Sequence, residues 1–313
     1  MDITKRAQMI RVVELYYLQN MTQQEIANAV GISRPTVSRL LDDARNQDIV
    51  EIKINIAEDV DVKLSNQIRK VLGIKEAIVV DTHETEEGII LEKTAHMAAE
   101  YLSGVVRENY VVGVSWGRAM NALANSIEPH KVENFKVVQL AGGLGGPDSK
   151  FDGSNVAYTL ASKFGGSCYC IFGPAILPNA NMVEELWQVP AVRETLELAS
   201  RADVYITGIG TLNESSSLSR AGYLDEKGRK SLMEQGASAH LLARILRKDG
   251  SELTEFNYRV LSIALECLKG NNLSIGVAVT AKKAEAVCTV TKGGYLNVII
   301  IDKSCAEAIL KNS

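Results

Sequence analysis

The stretch that most constrains the fold is residues 22–55, TQQEIANAVGISRPTVSRLLDDARNQDIVEIKIN, which has the pattern of a helix-turn-helix followed by a short β-wing. Thr22 stands three residues before Glu25, so these two side chains can form a capping box at the start of the first helix. Gly31 suits the left-handed turn that ends such a helix, and Ser33 suits the cap of a second one. These residues predict two short helices joined by a tight turn.

A supporting helix and a wing are predicted on either side of this helix pair. Residues 5–20 have apolar side chains at helical spacing, and those expected to face inward are Ile10, Val13, Leu15 and Tyr16. Residues 50–54 alternate between apolar and charged side chains, as a half-buried strand does. The whole segment therefore has the organisation of a winged helix-turn-helix.

The second helix of the pair presents short polar side chains and arginines near its N-terminus, the part of a recognition helix that contacts base edges. Hydroxyls, guanidinium groups and backbone N–H groups there can also hold phosphates. The residues predicted to contact DNA are Thr22, Gln23, Ser33, Arg34, Pro35, Thr36, Ser38 and Arg39. An ordinary helical hairpin would share the caps and the turn, but it would need neither a polar face without acids nor a wing.

The charge balance of this segment bears on how it binds. Residues 1–55 carry seven basic and seven acidic side chains, so the segment is electrically neutral. Sequence-independent attraction to DNA phosphates should then be weak for a single copy. Binding to double-stranded DNA requires several copies acting together, which predicts a homo-oligomer, a dimer or larger.

The length of 313 residues suits two domains, predicted at 1–56 and 57–313. Hydrophobic residues make up 46% and charged residues 23%, as in an ordinary soluble protein. The first residues are polar and interrupted, unlike a signal peptide, and no run approaches the ~20 apolar residues of a membrane helix. We therefore expect a cytoplasmic protein with no membrane partner.

The cysteines limit the redox and metal chemistry. They are Cys168, Cys170, Cys267, Cys288 and Cys305. Their odd number and the absence of a C-x-x-C pair argue against structural disulfides and a zinc site. Cys168 and Cys170 would share one face of a strand, where they are expected to be buried small hydrophobes, with a redox or metal role as the alternative. No metal or cofactor is expected.

From residue 57 onward, short apolar segments alternate with segments of helical periodicity. The apolar segments are rich in β-branched residues and lack polar alternation, which is typical of a parallel sheet covered by helices on both faces. The predicted fold is a doubly wound, mostly parallel α/β domain. Its predicted helices include residues 236–246 and 258–269.

Three polar or glycine-rich segments follow predicted strands, at residues 115–118, 141–146 and 208–211. The carboxyl ends of parallel strands meet at one edge of the sheet, where backbone N–H groups and helix N-termini favour an anion. Together the segments predict a site for a small polar ligand, although each glycine segment alone also fits ordinary turn chemistry. Neither a P-loop nor a dinucleotide site is supported, because the required Lys-Ser/Thr and third glycine are missing.

Six segments carry a resemblance to a known family. They are LYYLQNMTQQEIANAVGISRPTVSRLL (15–41), GVSWGRAM (113–120), VVQLAGGLGG (137–146), ADVYITGIGT (202–211), SRAGYLD (219–225) and GGYLNVIIIDKSCAEAIL (293–310). With these motifs the chain resembles the SorC/DeoR-type sugar-binding transcriptional regulators over nearly its full length. The resemblance implies a winged helix-turn-helix, an effector domain similar to sugar-isomerase and CoA-transferase folds but without catalysis, tetramers, and control of a carbohydrate catabolic operon.

The resemblance also implies a sugar or phosphosugar effector at the strand-end segments. The residues expected to bind it are Ser115, Trp116, Gly117, Arg118, Gly142, Gly143, Gly208, Gly210, Thr211, His240 and Lys282. Members that hold an aldehyde sugar as a Schiff base have a lysine where this chain has Ala141, so non-covalent binding is implied here. His240 replaces an acidic residue that accepts from sugar hydroxyls. Many members have a Gly-Gly pair where this chain has Val279-Thr280. The two lysines that follow, Lys282 and Lys283, either bind an anion or are solvated at the helix surface.

Two other functions stay open on the sequence. The replacements at positions 141, 240 and 279–280 would also fit a regulator whose pocket binds another class of ligand, or none. A sugar-phosphate isomerase would need an acid and a base in the pocket, and Asp148, Asp152 and His240 are the candidates. None of the three has a partner identifiable from the sequence, so no catalytic residue is predicted.

Overall fold

The computed structural model describes residues 3–47, 49–50, 59–145, 151–270 and 272–312. The chain divides into two compact units, Met1–Ala57 and Glu58–Ser313, where the sequence predicts a boundary after residue 56. Residues 51–54 of the predicted wing lie outside the described residues, as does Asp148. No helix in the described part of the chain is long and apolar enough to cross a membrane.

The smaller unit is helical. Its elements are α1 (Ile3–Val13), a π-helical turn (Glu14–Leu18), α2 (Gln23–Val30) and α3 (Arg34–Asn46). The Thr22 hydroxyl accepts from the Glu25 N–H at 3.3 Å, and the Glu25 carboxylate accepts from the Thr22 N–H at 2.8 Å. Gly31 ends α2 with φ 71°, and Ser33 caps α3. The predicted helix-turn-helix is therefore confirmed from its capping box to its turn.

One face of α1 packs beneath this helix pair. Met9, Val12 and Leu15 are buried in a cluster with apolar side chains of α2 and α3. The predicted inward position of Ile10 is wrong, because 40% of this residue is exposed. Leu15 lies in the π-helical turn, which has more residues per turn than an α-helix. Met9, Val12 and Leu15 follow one another at intervals of three residues, and Ile10 lies outside this buried row.

Replacing Thr22 with alanine should loosen α2 selectively. The substitution removes the acceptor for the Glu25 N–H, and loss of an N-cap costs about 1 kcal/mol. Hydrogen exchange of the α2 amides in the full chain should accelerate about fivefold, the ratio that corresponds to this free energy. Asn28→Ala, a change at an exposed position of the same helix, should not accelerate exchange, because alanine is the better helix former. Equal acceleration in both variants would show that Thr22 is not acting as a cap.

Helices alternate with strands in the larger unit. The helices are α4 (Val62–Leu72), α5 (Glu87–Val105), α6 (Arg118–Ser126), α7 (Gly153–Phe164), α8 (Ala180–Trp187), α9 (Pro190–Ala199), α10 (Ser217–Arg220), α11 (Glu226–Glu234), α12 (Thr254–Asn257), α13 (Ala284–Lys292) and α14 (Lys303–Lys311). The strands are β1 (Asp59–Val60), β2 (Glu76–Asp81), β3 (Val111–Val114), β4 (Lys136–Gln139), β5 (Ser167–Tyr169), β6 (Val204–Gly208), β7 (Gly210–Thr211), β8 (Ala237–Leu241), β9 (Arg244–Arg247), β10 (Leu273–Ala278) and β11 (Val298–Asp302). Leu265–Leu268 and Ala281–Lys283 form 3₁₀ turns.

The main sheet has the strand order β1-β2-β11-β10-β6-β3-β4-β5. Its strand pairs are parallel except for β1 with β2. Successive residues enter different buried clusters, as Tyr205 and Ile206 of β6 do, and likewise Ile299 and Ile300 of β11. Because both faces are covered, the strands need apolar side chains on both sides. The predicted mostly parallel α/β fold is confirmed.

The predicted helix at residues 236–246 is wrong. These residues form β8 and β9, an antiparallel hairpin that continues a small sheet with β7. The turn consists of Leu242 and Ala243, which have φ 51° and φ 65°. Both residues are buried, so tertiary packing holds a left-handed turn that glycine or asparagine would ordinarily occupy.

The predicted helix at residues 258–269 is also wrong, except for the 3₁₀ turn near its end. The chain at 261–263 bonds to distant segments instead of to itself. The N–H of Leu261 donates to the Ala175 carbonyl at 2.9 Å, and the Leu261 carbonyl accepts from the Gly142 N–H at 2.8 Å. The backbone groups of these residues are used in long-range hydrogen bonds, so the helix predicted from the apolar periodicity does not form.

Candidate functional site

The exposed surface of α3 carries the predicted DNA contacts. Ser33, Arg34, Pro35 and Arg39 are exposed, as is Thr22, whereas Gln23, Thr36 and Ser38 are half-buried. The Ser33 hydroxyl caps α3 and lies 2.7 Å from the Thr36 hydroxyl. The arginines project from the first half of α3, where a recognition helix meets base edges.

An open groove borders Arg34. It is lined by Tyr16, Tyr17, Asn20, Met21, Thr22, Gln23, Gln24 and Arg34. Tyr16 packs against the apolar cluster, as the sequence predicts, and its half-buried side chain also lines the groove. Hydroxyl, amide and guanidinium groups are the donors that hold phosphate oxygens in protein–DNA complexes. The groove therefore adds polar groups of the π-helical turn and its loop to the candidate DNA surface.

In the larger unit, a cavity lies at the carboxyl ends of β3, β6 and β10. At the junction of β3 and β6 the strand order reverses: β4 and β5 are added on the side of β3, and β10 and β11 on the side of β6. Ligands bind at such a topological switch point in open α/β sheets. The cavity is lined by Leu91, Trp116, Gly117, Arg118, Ala119, Gly208, Ile209, Gly210, Ser215, Ser216, Ser217, Arg220, His240, Val277, Ala278, Val279 and Lys283.

The first wall of the cavity is the start of α6. Gly117 is the N-cap with φ 115°, and no side chain caps this helix. Its first N–H groups and the positive end of its dipole are therefore available to an anion. Arg118 reaches across to Glu87 at 2.8 Å, and both side chains are partly exposed. This contact keeps the guanidinium at the rim of the cavity.

Lys283 supplies a second charge from the opposite side. Its ammonium donates to the Ile209 carbonyl at 2.8 Å, which fixes it beside the end of β6. Burial and the positive charge of Arg118 lower the pKa of Lys283 to about 8. The charged amine is thus incompletely satisfied, and an anion in the cavity would stabilise it.

His240 closes the floor of the cavity. It is buried, and neither ring nitrogen has a hydrogen-bond partner among the described residues. Burial, with the charge of Lys283 added, lowers the pKa of His240 to about 3. His240 pairs with Gly210 across β7 and β8, and a Cβ at Gly210 would fall 1.9 Å from the ring. The neutral imidazole therefore packs closely on Gly210 and has nitrogens without a protein partner among the described residues.

Known proteins resemble the chain along its length. The Deoxyribonucleoside regulator of Bacillus subtilis (strain 168) is 29% identical, over 100% of each chain. The Sorbitol operon regulator of Klebsiella pneumoniae is 26% identical, over 96% of this chain and 97% of that one. The crystal structure of the full-length sorbitol operon regulator SorC from Klebsiella pneumoniae matches with a TM-score of 0.73 at 25% identity, covering 99% of this chain and 100% of that chain.

Two family models match the chain. One, described as "Sigma-70, region 4", matches residues 7–47, which contain the helix-turn-helix. The other, described as "Putative sugar-binding domain", matches residues 59–311. The chain belongs to this family, the SorC/DeoR-type sugar-binding regulators. Since its relatives are transcriptional regulators, it is a transcriptional regulator with a DNA-binding helix-turn-helix and a sugar-binding domain, and not an enzyme.

The structure of this SorC/DeoR-type regulator brings six of the eleven predicted effector residues to the cavity: Trp116, Gly117, Arg118, Gly208, Gly210 and His240. Ser115 lies beneath it, where its hydroxyl accepts from Thr207 at 2.9 Å and joins β3 to β6. Gly142 and Gly143 pack instead against the chain at 173–174, which a Cβ on Gly142 would strike at 2.5 Å. Thr211 is buried in β7.

The lysine in the cavity is Lys283 and not the predicted Lys282, which is exposed. The 3₁₀ turn Ala281–Lys283 before α13 sets which of the two neighbours turns inward. Sequence reasoning also missed residues 215–217 and Arg220 as cavity residues. For Arg220 a signal was present, because SRAGYLD (219–225) is one of the segments that carry the family resemblance.

Asp152, a candidate acid in the isomerase hypothesis, holds backbone in place. Its carboxylate accepts from the N–H groups of Leu144 at 2.8 Å and Ser154 at 3.1 Å. It does not line the cavity. Asp152 therefore orders the loop after β4 and the start of α7.

Proposed function

We propose that this chain regulates a carbohydrate catabolic operon from the cytoplasm, and that its effector is a phosphorylated sugar bound non-covalently at the ends of β3, β6 and β10. The observation that carries the proposal is the convergence of Arg118, Arg220 and Lys283 on one cavity whose described lining contains no carboxylate. Ionised carboxylates accept hydrogen bonds from sugar hydroxyls but repel phosphate. Their replacement by cations favours a phosphorylated ligand over a free sugar.

The phosphate group fits the side of the cavity formed by α6 and Lys283. Arginine and lysine make short, charge-assisted hydrogen bonds to phosphate oxygens. The uncapped N-terminus of α6 adds backbone N–H groups and a favourable dipole. The negative charge of a phosphate group would also offset the unfavourable desolvation of the Lys283 ammonium, so this contact stabilises the charged lysine as well as the bound ligand.

The sugar hydroxyls fit the side formed by His240. A neutral imidazole nitrogen without a protein partner can make a hydrogen bond to a hydroxyl group of the ligand. Leaving these nitrogens unpaired in a buried site is unfavourable, so a hydroxylated ligand there gains affinity. His240 is thus the proposed specificity residue, and Trp116 provides apolar surface beside it.

The DNA end of the proposal rests on α3. We propose that Arg34, Thr36, Ser38 and Arg39 read base edges while Ser33 and the neighbouring groove hold phosphates. Since residues 1–55 are electrically neutral, one copy would bind weakly, and a homo-oligomer would place two recognition helices on half-sites ~34 Å apart or a multiple of it. The effector would act by binding one arrangement of copies better than another.

A thermal-shift screen of the full-length protein tests the effector class. Each phosphorylated sugar is paired with the same sugar without phosphate, for example ribose 5-phosphate with ribose. A ligand at 100 times its Kd adds about 2.7 kcal/mol to stability, so at least one phosphosugar should raise the melting temperature while its free counterpart does not. Stabilisation by free sugars alone would contradict the proposal. Stabilisation by neither class would favour the alternative that the pocket binds another class of ligand.

Affinity for the phosphorylated effector should fall as the pH rises above about 8. Below this value Lys283 carries its charge, and above it the free cavity loses one proton. The apparent Kd should rise about fivefold between pH 8 and pH 9, because the charged fraction of Lys283 falls by that factor. The phosphate is already fully ionised there, because its second pKa is about 6, and His240 stays neutral. The apparent Kd of the Lys283→Met variant, measured by calorimetric titration, should not change over this pH range. The same pH profile in wild type and in Lys283→Met would contradict the role of Lys283.

A further inference from the structure

A pair of thiols lies away from the effector cavity, on the edge strand of the main sheet. Cys168 belongs to β5, the last strand in the sheet order, and Cys170 follows it directly. Their sulfur atoms are 3.5 Å apart. The sequence predicts that both side chains are buried, but in the structure both are only half-buried. Cys168 packs against the apolar cluster on one face of the sheet, and Cys170 lies beside it because alternate residues of an extended chain share a face.

The two sulfurs open onto a surface groove. It is lined by Tyr158, Cys168, Tyr169, Cys170, Phe172, Ala191, Glu194, Thr195 and Leu198. Tyr158 and Phe172 are largely exposed at its border, so a small reagent can reach the thiols. The described residues add no third side chain for a metal ion, which leaves thiol chemistry as the use of the pair.

We propose that Cys168 and Cys170 form a reversible intramolecular disulfide by exchange with a low-molecular-weight disulfide such as glutathione disulfide. The Cys170 thiolate attacks one sulfur of the reagent and expels a thiolate. The Cys168 thiolate then attacks the Cys170 sulfur of this mixed disulfide and expels the second thiolate. The cysteine pair loses two protons and two electrons, and one glutathione disulfide becomes two glutathione molecules.

The order of attack follows from the contact between the thiols. The hydrogen bond from Cys168 lowers the pKa of Cys170, while the same contact raises the pKa of Cys168. Burial raises the pKa of the remaining cysteines, Cys267, Cys288 and Cys305. Since the thiolate is the nucleophile, Cys170 reacts first, and its neighbour is already in place to resolve the adduct.

The backbone makes this disulfide readily reducible. Alternate Cα atoms of a strand are about 6.6 Å apart, near the upper end of the ~4.4–6.8 Å range of disulfides. The bond can close, and reaching the commonest separation of about 5.5–6 Å contracts the chain at residues 168–170. Strained disulfides have more oxidising potentials and are the labile ones. The pair therefore suits reversible oxidation and not structural cross-linking, in agreement with a reducing compartment.

The segment after Cys170 connects the pair to the loop after β4, whose Leu144 and Gly145 line a small pocket together with Gly117 and Arg220 of the effector cavity. The N–H of Ile171 donates to the Gln139 side chain at 3.1 Å. Gly143 donates to the Gly173 carbonyl and accepts from the Ala175 N–H, both at 2.8 Å. Contraction at 168–170 would pull on these hydrogen bonds and shift the loop after β4. Oxidation is thus expected to weaken effector binding, a consequence that rests on the proposed function.

Redox titration of the full-length protein tests the site. The reduced protein is equilibrated with glutathione at increasing ratios of disulfide to thiol, the remaining thiols are alkylated, and the intact and peptide masses are measured. We expect a disulfide within the peptide containing residues 168–170, removed by excess glutathione. Cys168→Ser should instead retain a glutathione adduct on Cys170, and Cys267→Ser should behave as the wild type. Alkylation of both thiols at the most oxidising ratio, or bonds only between chains, would overturn the site.

The link to the cavity has its own measurement. The melting-temperature shift caused by the best phosphosugar of the screen is compared between reduced and oxidised protein, with Cys170→Ser as the control that cannot form the bond. A smaller shift in oxidised wild type alone supports the link. An equal shift in both states overturns the link, and no shift in reduced protein overturns the proposed effector class while leaving the disulfide result intact.

Discussion

Replacing Lys283 with methionine should weaken binding of the phosphorylated effector at least about 30-fold, because removal of a desolvated charge from its partner costs about 2 kcal/mol or more. The Lys283 ammonium is fixed by the Ile209 carbonyl at 2.8 Å, so no neighbouring group can replace it without moving. Methionine has a similar length and fills the same space without charge. The measurement is calorimetric titration with the phosphosugar that gives the largest thermal shift.

The adjacent lysine provides a matched control. Lys282→Met makes the same change in net charge one residue away, at an exposed position outside the cavity. It should change the affinity less than about twofold, because an exposed charge interacts weakly in water. If the two variants lost affinity equally, general electrostatic attraction and not a local contact would hold the phosphate. If neither lost affinity, the effector would bind elsewhere.

Arg39→Ala should weaken operator binding by about 1–3 kcal/mol for each recognition helix that contacts the DNA. Arg39 is exposed on α3, within two turns of the capped N-terminus. An oligomer that engages two half-sites loses the contact twice, so the free energies add. The measurement is fluorescence anisotropy with a duplex that the wild-type protein selects from a randomised pool. Effector binding, measured separately by thermal shift, should be unaffected.

Arg201→Ala is the control for this second substitution. It removes the same charge from an exposed position of the larger unit, where 76% of the side chain is accessible. Its operator affinity should match that of the wild type. Equal weakening by Arg201→Ala would indicate a non-specific charge effect, and full affinity of Arg39→Ala would show that the recognition helix is assigned wrongly.

The helix-turn-helix could be predicted from sequence because its determinants are local. Thr22, Glu25, Gly31 and Ser33 act within a few residues of themselves, and each has the role that its spacing indicates. The parallel sheet was equally accessible, because burial on both faces requires continuous apolar segments. Ile10 shows the limit, since an exposed apolar side chain carries no local signal that separates it from a buried one.

The errors lie where distant segments decide the conformation. Leu242 and Ala243 are good helix formers, yet they occupy a left-handed turn because β7 and the core hold the hairpin there. The backbone of 261–263 bonds to residues that are far away in the sequence, including Ala175 and Leu140. Local propensity carries no information about such partners.

The candidate site could be located but not completed from the sequence. The strand-end segments indicated the correct edge of the sheet, because ligand sites follow from topology. The choice between Lys282 and Lys283 depends on one 3₁₀ turn, and Arg220 reaches the cavity from α10, which the periodicity did not predict. Gly142 and Gly143 belong to the same edge, but the chain at 173–174 covers them.

The most direct test of the central claim is the operator affinity of wild type, Lys283→Met and Lys282→Met, each with and without phosphosugar at about three times the wild-type Kd, where a variant that binds about 30-fold more weakly is only about one-tenth occupied. Linkage requires that a ligand which changes operator affinity has different affinities for the states that do and do not bind DNA. We expect the effector to shift operator affinity in wild type and Lys282→Met, and to leave Lys283→Met unchanged at the same concentration. An effector response in Lys283→Met equal to that of the wild type would contradict the claim that this cavity controls DNA binding.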